Sequence, residues 1–369
     1  MVLPRFRVPE EIAIRVPQEN MRATLEDMFR HVGMSSEDAA QSADVLMFAD
    51  LRAIETHGVS NMMRSYMNAF AAGTMNPRPD WKIVRESLST ATIESDSGHG
   101  LVIGPKAMNL AIEKAERTGI GAVVVANGRH FGAAAYHAML ALPHDMIGVA
   151  MTVGGINVLP TWGAEPLIGL NPIGFAAPTR DEPPFVFDAA MSSVAGNKAT
   201  LAKRLGVKMM PGWIADAEGN PIMEEVDPPD QMFMLPVGGT RELGSHKGYG
   251  LSVMVDILSG LLSGTGPGFV VKGRAEAGQA SRGGAAHHFL AYKVDAFTDL
   301  DGFKDDMDLF MRTLRESKPA PGHERVMYAG LPEHEDEIDR RANGVPYHPE
   351  VIDWFRDITS ELDLEWRLT

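Results

Sequence analysis

The hydrophobic period changes twice along this chain, and that limits the folds open to it. Residues 19–32 place Met21, Leu25, Met28 and Phe29 on one helical face and stop at Gly33, where a helix would end. Ser35 with Asp38 three residues on has the form of a capping box, opening a second helix from 36 to about 53. From Trp81 the spacing shortens, and Ile83, Val84 and residues 90–93 read as strands. Pro105 is placed to start a helix through Arg117. Residues 121–126 and 146–152 read as buried strands, with a helix between them after Gly132. Acidic and Pro-rich loops past Met223 lead to a helix from about 247 to 262 and a Gly-rich stretch, 264–284. Helical spacing returns at Met307, Phe310, Met311 and Leu314, with Trp354 and Phe355 near the end. The simplest arrangement joins an N-terminal helical part (1–75) and a C-terminal one (291–369) around an α/β region (76–290).

Composition removes whole function classes. There are 34 Lys plus Arg against 49 Asp plus Glu, a net charge of −15 over 369 residues, so a nucleic-acid partner is not expected. Cys is absent, which excludes disulfides, thiolate catalysis and Fe–S clusters. The N-terminal stretch 1–16 alternates charged and apolar residues and lacks the apolar core of a signal peptide. Residues 251–271, the most apolar stretch, contain Asp256, four glycines and Pro267, which argues for a buried helix and a loop rather than a membrane span. A cytoplasmic protein is expected.

Several short motifs carry chemistry. Gly98-His99-Gly100 with Gly104 resembles a dinucleotide fingerprint one residue too long, but the strand that should end in an acidic residue ends at Asn127, so a turn is the better reading. His130-Phe131-Gly132 follows a buried strand, where open α/β sheets bind ligands, although a His packing a strand–helix corner fits equally. Thr56-His57-Gly58 sets a hydroxyl beside an imidazole at a helix C-terminus, which should raise the ring's pKa and suit a proton donor. Asp188 closes an apolar run as a catalytic His's orienting partner would, or as a helix cap would. His246-Lys247-Gly248 offers cations before a helix, for an anion or for solvent. The adjacent His287 and His288 would lie on opposite sides of a strand or well apart on a helix, no HExxH is present, and no metal site is expected. The acidic run 333–339 reads as a solvated helix face.

Taken in order, these segments resemble the type 2 malate/L-lactate dehydrogenase family. The matching stretches are Ala49-Asp50-Leu51-Arg52 through Thr56-His57-Gly58-Val59-Ser60, His130-Phe131-Gly132, Gly169-Leu170-Asn171-Pro172 through Ala176-Ala177-Pro178, and Asp188-Ala189 through Lys198. Pro211-Gly212-Trp213 and Leu235-Pro236-Val237-Gly238-Gly239 with His246-Lys247-Gly248-Tyr249-Gly250-Leu251 complete them. The resemblance implies a homodimeric oxidoreductase acting with NAD or NADP on a 2-hydroxy or 2-oxo acid or a cyclic imine. It implies a non-Rossmann α/β fold with a mixed, largely antiparallel sheet flanked by helices. Carried over by position, His57 is the proton donor, with Thr56 and Asp188 as its partners. His130, Phe131, Gly132, Ala133, Ala134, Pro178, Thr179, Arg180, His246 and Lys247 would line the cofactor, and a segment near Gly330 would close over it.

One departure stands out. The family's usual Arg after His-Gly-Val-Ser is here Asn61, which offers only neutral hydrogen bonds to a substrate carboxylate. Arg129, immediately before His130, is the expected replacement, with Arg52 and Arg64 as further candidates and His130 beside them. Asn197 stands where the family has Gly before Lys198. Arg129, His57, Lys198 and Lys247 are expected to supply local positive charge in an acidic protein. Two other readings stay open: a cofactor-free lyase or hydrolase using His57 and Asp188, and a silent nucleotide-binding relative.

Overall fold

The computed structural model describes residues 3–271 and 284–368. The first half contains β1 (Ile14–Val16), α1 (Gln18–His31), α2 (Ser36–Leu51), α3 (Val59–Ala71), β2 (Lys82–Glu86), β3 (Thr90–Glu94), α4 (Gly100–Thr118), β4 (Ile120–Gly128), α5 (Ala134–Met139), β5 (Met146–Val153), β6 (Ile173–Ala177) and β7 (Phe185–Ala189). The second contains α6 (Asn197–Leu205), β8 (Ile214–Ala215), β9 (Phe233–Met234), α7 (Ser245–Val255), β10 (Ala285–Lys293), α8 (Leu300–Glu316), α9 (Leu331–Asn343), β11 (Val345–Tyr347) and α10 (Pro349–Glu361). Of the Gly-rich stretch 264–284, residues 272–283 lie outside the described residues.

Seven strands form one sheet in the order β2-β3-β4-β10-β5-β6-β7. Only β3 and β4 run parallel, with α4 as their crossover; the other neighbours are antiparallel. Alternation along each strand divides the sheet's two faces. Phe289 and Ala291 on β10, with Ala150 on β5, pack in the core that includes Ala107 and Ala111 of α4 and Ala134 and Ala138 of α5. Met151 and Val153 turn the other way, onto Val255 of α7. The same alternation sends His287 to Thr152 and His288 to the Leu258 carbonyl. Close helix packing requires Gly148: a Cβ there would stand 2.0 Å from the Ala138 carbonyl oxygen.

The helix expected to start at Pro105 starts at Gly100. Leu101, Val102 and Ile103 are buried in two neighbouring cores, and that burial outweighs the preference of proline for the first helical position. α7 continues into a π-helical turn, Asp256–Leu261. No helix among the described residues is long and apolar enough to cross a membrane. The two ends of the chain meet: β1 pairs with β11, and Met21, Phe29, Leu46 and Met63 share a core with Tyr347 and Phe355.

Candidate active site

The turn between α2 and α3 carries Glu55, Thr56, His57 and Gly58, and it is held on every side. Asp50 accepts the Val59 N–H at 3.2 Å and the Tyr347 hydroxyl at 2.7 Å. A Cβ on Gly58 would stand 1.7 Å from Asp50 Oδ1, so only glycine lets the turn close over that carboxyl group. Burial raises Asp50 to about 7. The Arg340 guanidinium, buried on α9, donates to Glu55 at 2.9 Å and to the Asp50 carbonyl at 2.5 Å. Asn61 donates to the Glu55 carbonyl at 2.6 Å, and Asn197 to the Thr56 carbonyl at 2.7 Å.

That turn faces a cavity of about 1230 Å³. His57, half-buried in its wall, has Nδ1 2.8 Å from Thr56 Oγ1, which leaves Nε2 for a bound partner. Its ring stacks on His130, centroids 5.5 Å apart and planes 14° from parallel. Burial, and then the charge of Lys198, push His57 down to about 4. The expected upward shift does not arise, because α2 already ends at Leu51 and His57 instead precedes the N-terminus of α3; the imidazole is neutral near pH 7.

Lys198, at the start of α6, lines the same cavity with Nζ 4.9 Å from the Phe6 ring centroid. Burial lowers its pKa while Glu55 raises it, and its ammonium makes no ion pair among the described residues. The other cavity cations are engaged. Arg52 pairs with Glu337 at 2.8 Å and donates to the Gly330 carbonyl. Arg129 donates to the carbonyls of Thr74 and Gly128 and to Ser97 Oγ. Arg129 and Arg52, expected to clamp a carboxylate, here staple loops together.

Other expected residues also fall elsewhere. Asp188 does not reach His57; its Oδ2 accepts the Ala135 N–H at 2.7 Å, because the open donors at the start of α5 attract a carboxylate. It still lines the cavity, and burial followed by the charge of Glu333 raises it to about 6. Asn61 stays outside the cavity, bracing the turn, and Arg64 lies 5.2 Å over the Trp354 ring. Phe131 is buried between His137 and His287, and Ala133 is buried beside it; neither lines the cavity, whereas His130, Gly132 and Ala134 do. Pro178, Thr179 and Arg180 sit at the far end of the β6–β7 hairpin, where Arg180 binds Asp301 and Asp305 of α8. His246 and Lys247 are exposed at the start of α7, away from the cavity. Residues Met327 to Gly330, with Pro332 and Glu333, form a further wall, and the Ala329 carbonyl accepts the Val186 N–H.

The glycines of Gly98-His99-Gly100 serve packing: a Cβ on Gly100 would meet the Arg129 carbonyl oxygen at 2.3 Å, which leaves no room for a pyrophosphate over α4. Small residues instead open the cavity wall along Gly132, Ala134 and Ala135 and at Gly154, where a Cβ would meet open space. Phe6 and Arg340 were not singled out in the sequence. Nothing local marks either, because each acts through a residue distant in the chain.

The family described as malate/L-lactate dehydrogenase matches residues 16–356. A malate dehydrogenase of Pyrococcus abyssi is 38% identical over 96% of this chain and 97% of its own. An L-sulfolactate dehydrogenase of Methanocaldococcus jannaschii is 34% identical over 94% of this chain and 96% of its own. The solved structure of malate dehydrogenase from Pyrococcus horikoshii superposes with a TM-score of 0.87 at 35% identity, covering 97% of this chain and 98% of that one.

Proposed function

This chain belongs to the malate/L-lactate dehydrogenase family, and on that premise we propose how its cavity serves a nicotinamide-dependent oxidoreductase of 2-hydroxy acids, 2-oxo acids or related imino acids. The observation that carries the reading is His57 with Thr56 on one wall of a single large cavity that also holds Lys198 and His130. At about 1230 Å³ the cavity exceeds the ~300–1,000 Å³ of ordinary small-molecule sites, and its strip of Gly132, Ala134, Ala135 and Gly154 suits the close approach of flat rings. Those residues fit a dinucleotide held without a Rossmann fingerprint.

A nicotinamide cofactor, when bound, supplies or takes the hydride. Lys198 binds the substrate carboxylate in place of the arginine absent at Asn61, being the cavity cation whose ammonium is held by neither an ion pair nor a hydrogen bond among the described residues. His57 exchanges the proton of the substrate oxygen or nitrogen through Nε2. In the oxidative direction its neutral ring is a base as it stands; in the reductive direction the arriving carboxylate neutralises Lys198, lifts the charge that depresses His57, and lets it carry the proton inward. The ring's tether to Thr56, whose own carbonyl Asn197 holds, keeps Nε2 aimed. Asp188 shapes the start of α5 rather than assisting the imidazole.

Two further features belong to this reading. The enzyme is a homodimer: Leu251, Met254, Ile257, Leu261 and Leu262 are exposed along α7 and its π turn, an apolar stripe that a second copy would cover. It works in the cytoplasm, where the dinucleotide pool lies.

Titrating thermal stability with NADH and NADPH, followed by turnover on pyruvate, oxaloacetate and piperideine-2-carboxylate, tests the whole. Binding to the native state raises stability by RT ln(1 + [L]/Kd), about 2.7 kcal/mol at a hundredfold excess over Kd. The dinucleotide that shifts the melting temperature is the cofactor. A shift with neither would return the cofactor-free acid–base reading; a shift with no turnover on any substrate would leave a binding protein.

A further inference from the structure

Residues 3–8 run from α9 to the core under α6, and they are fastened at several points. Arg7 makes two hydrogen bonds to Asp336 of α9, at 2.7 and 2.8 Å, and Arg5 pairs with Glu225 at 2.8 Å. Between these anchors one tight turn, Pro4–Phe6, is closed by the Phe6 N–H donating to the Leu3 carbonyl at 2.9 Å. Phe6 is fully buried, in the core that also holds Val158, Val194, Leu201 and Ile214. Its ring stacks on Trp213, centroids 5.6 Å apart, and Lys198 Nζ lies over it, 4.9 Å from the centroid. Trp213 and Lys198 line the cavity, whereas Phe6 does not. The ring therefore stands behind the wall and touches two of its members. This strap precedes residues 16–356, the stretch matched to the family.

Lys198 occupies a place that disfavours its charge. It lies in the first turn of α6, where the helix presents its positive end, and its side chain is partly buried. Its ammonium has neither an ion pair nor a hydrogen bond among the described residues, and Glu55 acts on it through charge alone. The face of a benzene ring is negative and attracts an ammonium within ~6 Å, more strongly where water is excluded.

We propose that Phe6 is a positioning residue that holds the Lys198 ammonium at the cavity wall through the face of its ring. A saturated side chain of similar size would fill the core and give the ammonium nothing to rest on. The consequence for a substrate carboxylate rests on the hydride-transfer reading of the cavity; the hold on Lys198 does not.

Two measurements test the proposal. Site-specific replacement of Phe6 by 4-fluoro-, 3,5-difluoro- and pentafluorophenylalanine drains the ring face of negative charge in steps while changing its size little, so the fold is kept even if Phe6→Leu unfolds. The first measurement acetylates the lysines with acetic anhydride at pH 8 and follows each by peptide mass. The rate at Lys198, relative to the exposed Lys203 of the same helix, should rise along the series and reach at least threefold at its end. A Lys198 rate that stays flat along the series, with a change only in Phe6→Leu, makes Phe6 a packing residue and overturns the proposal. The second measurement is turnover on pyruvate, oxaloacetate and piperideine-2-carboxylate. KM should rise in the same steps, by about three- to tenfold at the end, with a smaller effect on kcat. A rising labelling rate with a flat KM keeps the hold of Phe6 on Lys198 and takes the carboxylate away from that lysine. If the unaltered enzyme turns over no substrate, the hydride-transfer reading fails while the labelling still decides the role of Phe6.

Discussion

At the scale of single residues, the site is governed by what burial does to charge. His57 lies just before the N-cap of α3, the helix end that disfavours a protonated ring, and the cavity wall and Lys198 hold it neutral down to about pH 4. The expected consequence is a pH profile for hydroxy-acid oxidation in which kcat/KM stays level through neutral pH and falls only toward pH 4. Lys198→Met should raise the KM for the carboxylate substrate about 10- to 100-fold, the scale of a lost charged hydrogen bond. It should also move the acid limb upward, because the charge that lowers His57 is gone. An acid limb that stays in place would remove Lys198 from His57's surroundings. The sequence named both residues; the sign of the His57 shift depends on neighbours that chain order does not reveal. Arg129 and Asn61 teach the same lesson, since their donors go to backbone carbonyls supplied by other segments.

At the scale of elements, α9 links the cavity wall to the turn that carries His57. Gly330, whose carbonyl Arg52 holds, immediately precedes it, and its Arg340 reaches back to Glu55 and Asp50. α7 has the opposite character: one side packs on the sheet and the other shows a row of apolar side chains. Burying that row in a dimer is the most economical use of it. Ile257→Asp combined with Leu261→Asp should convert a dimer to a monomer in sedimentation equilibrium without unfolding α7. A double variant that stays dimeric would show that this stripe is not the interface. Sequence periodicity located α7 to within a few residues, but it could not separate the sheet-facing side from the outward one, since both are apolar.

At the scale of the whole molecule, buried ionisable groups set the response to acid. Burial depresses His99 and His287 to about 3 and His57 and His137 to about 4. Each takes up its proton in the unfolded chain near pH 6.5 but not in the native one, so each removes stability as pH falls from about 6.5 toward 4. Asp50 and Asp188 oppose this, because their raised pKa values let the folded state bind protons first as pH falls below about 7 and 6. Burial also lowers His130, His288 and His348 and raises Asp256, so among the described residues seven histidines against three carboxyl groups leave a net loss in acid. His99 tests the balance most cleanly: both its ring nitrogens are buried without partners among the described residues, packed by Phe29, Tyr66 and Phe70. His99→Phe should stabilise the protein at pH 7 by roughly 1–3 kcal/mol, the cost of burying an unpaired polar group. It should also flatten the fall in melting temperature between pH 7 and 5. A lower melting temperature at pH 7 would mean that His99 has an unrecognised partner.

The sequence by itself determined the α/β middle, the helical ends, the acidic character and the pairing of Thr56 with His57, because periodicity, composition and adjacency are local properties. The ordered motifs also indicated the family. Only the tertiary structure decided which side chains meet across the cavity. It brought Lys198 beside His57, took Arg129, Arg180 and Asp188 away to carbonyls, aspartates and a helix start, and set Phe6 against Lys198. Those outcomes depend on how segments tens to hundreds of residues apart compete for the same donors and acceptors once water is excluded, and chain order does not encode that competition.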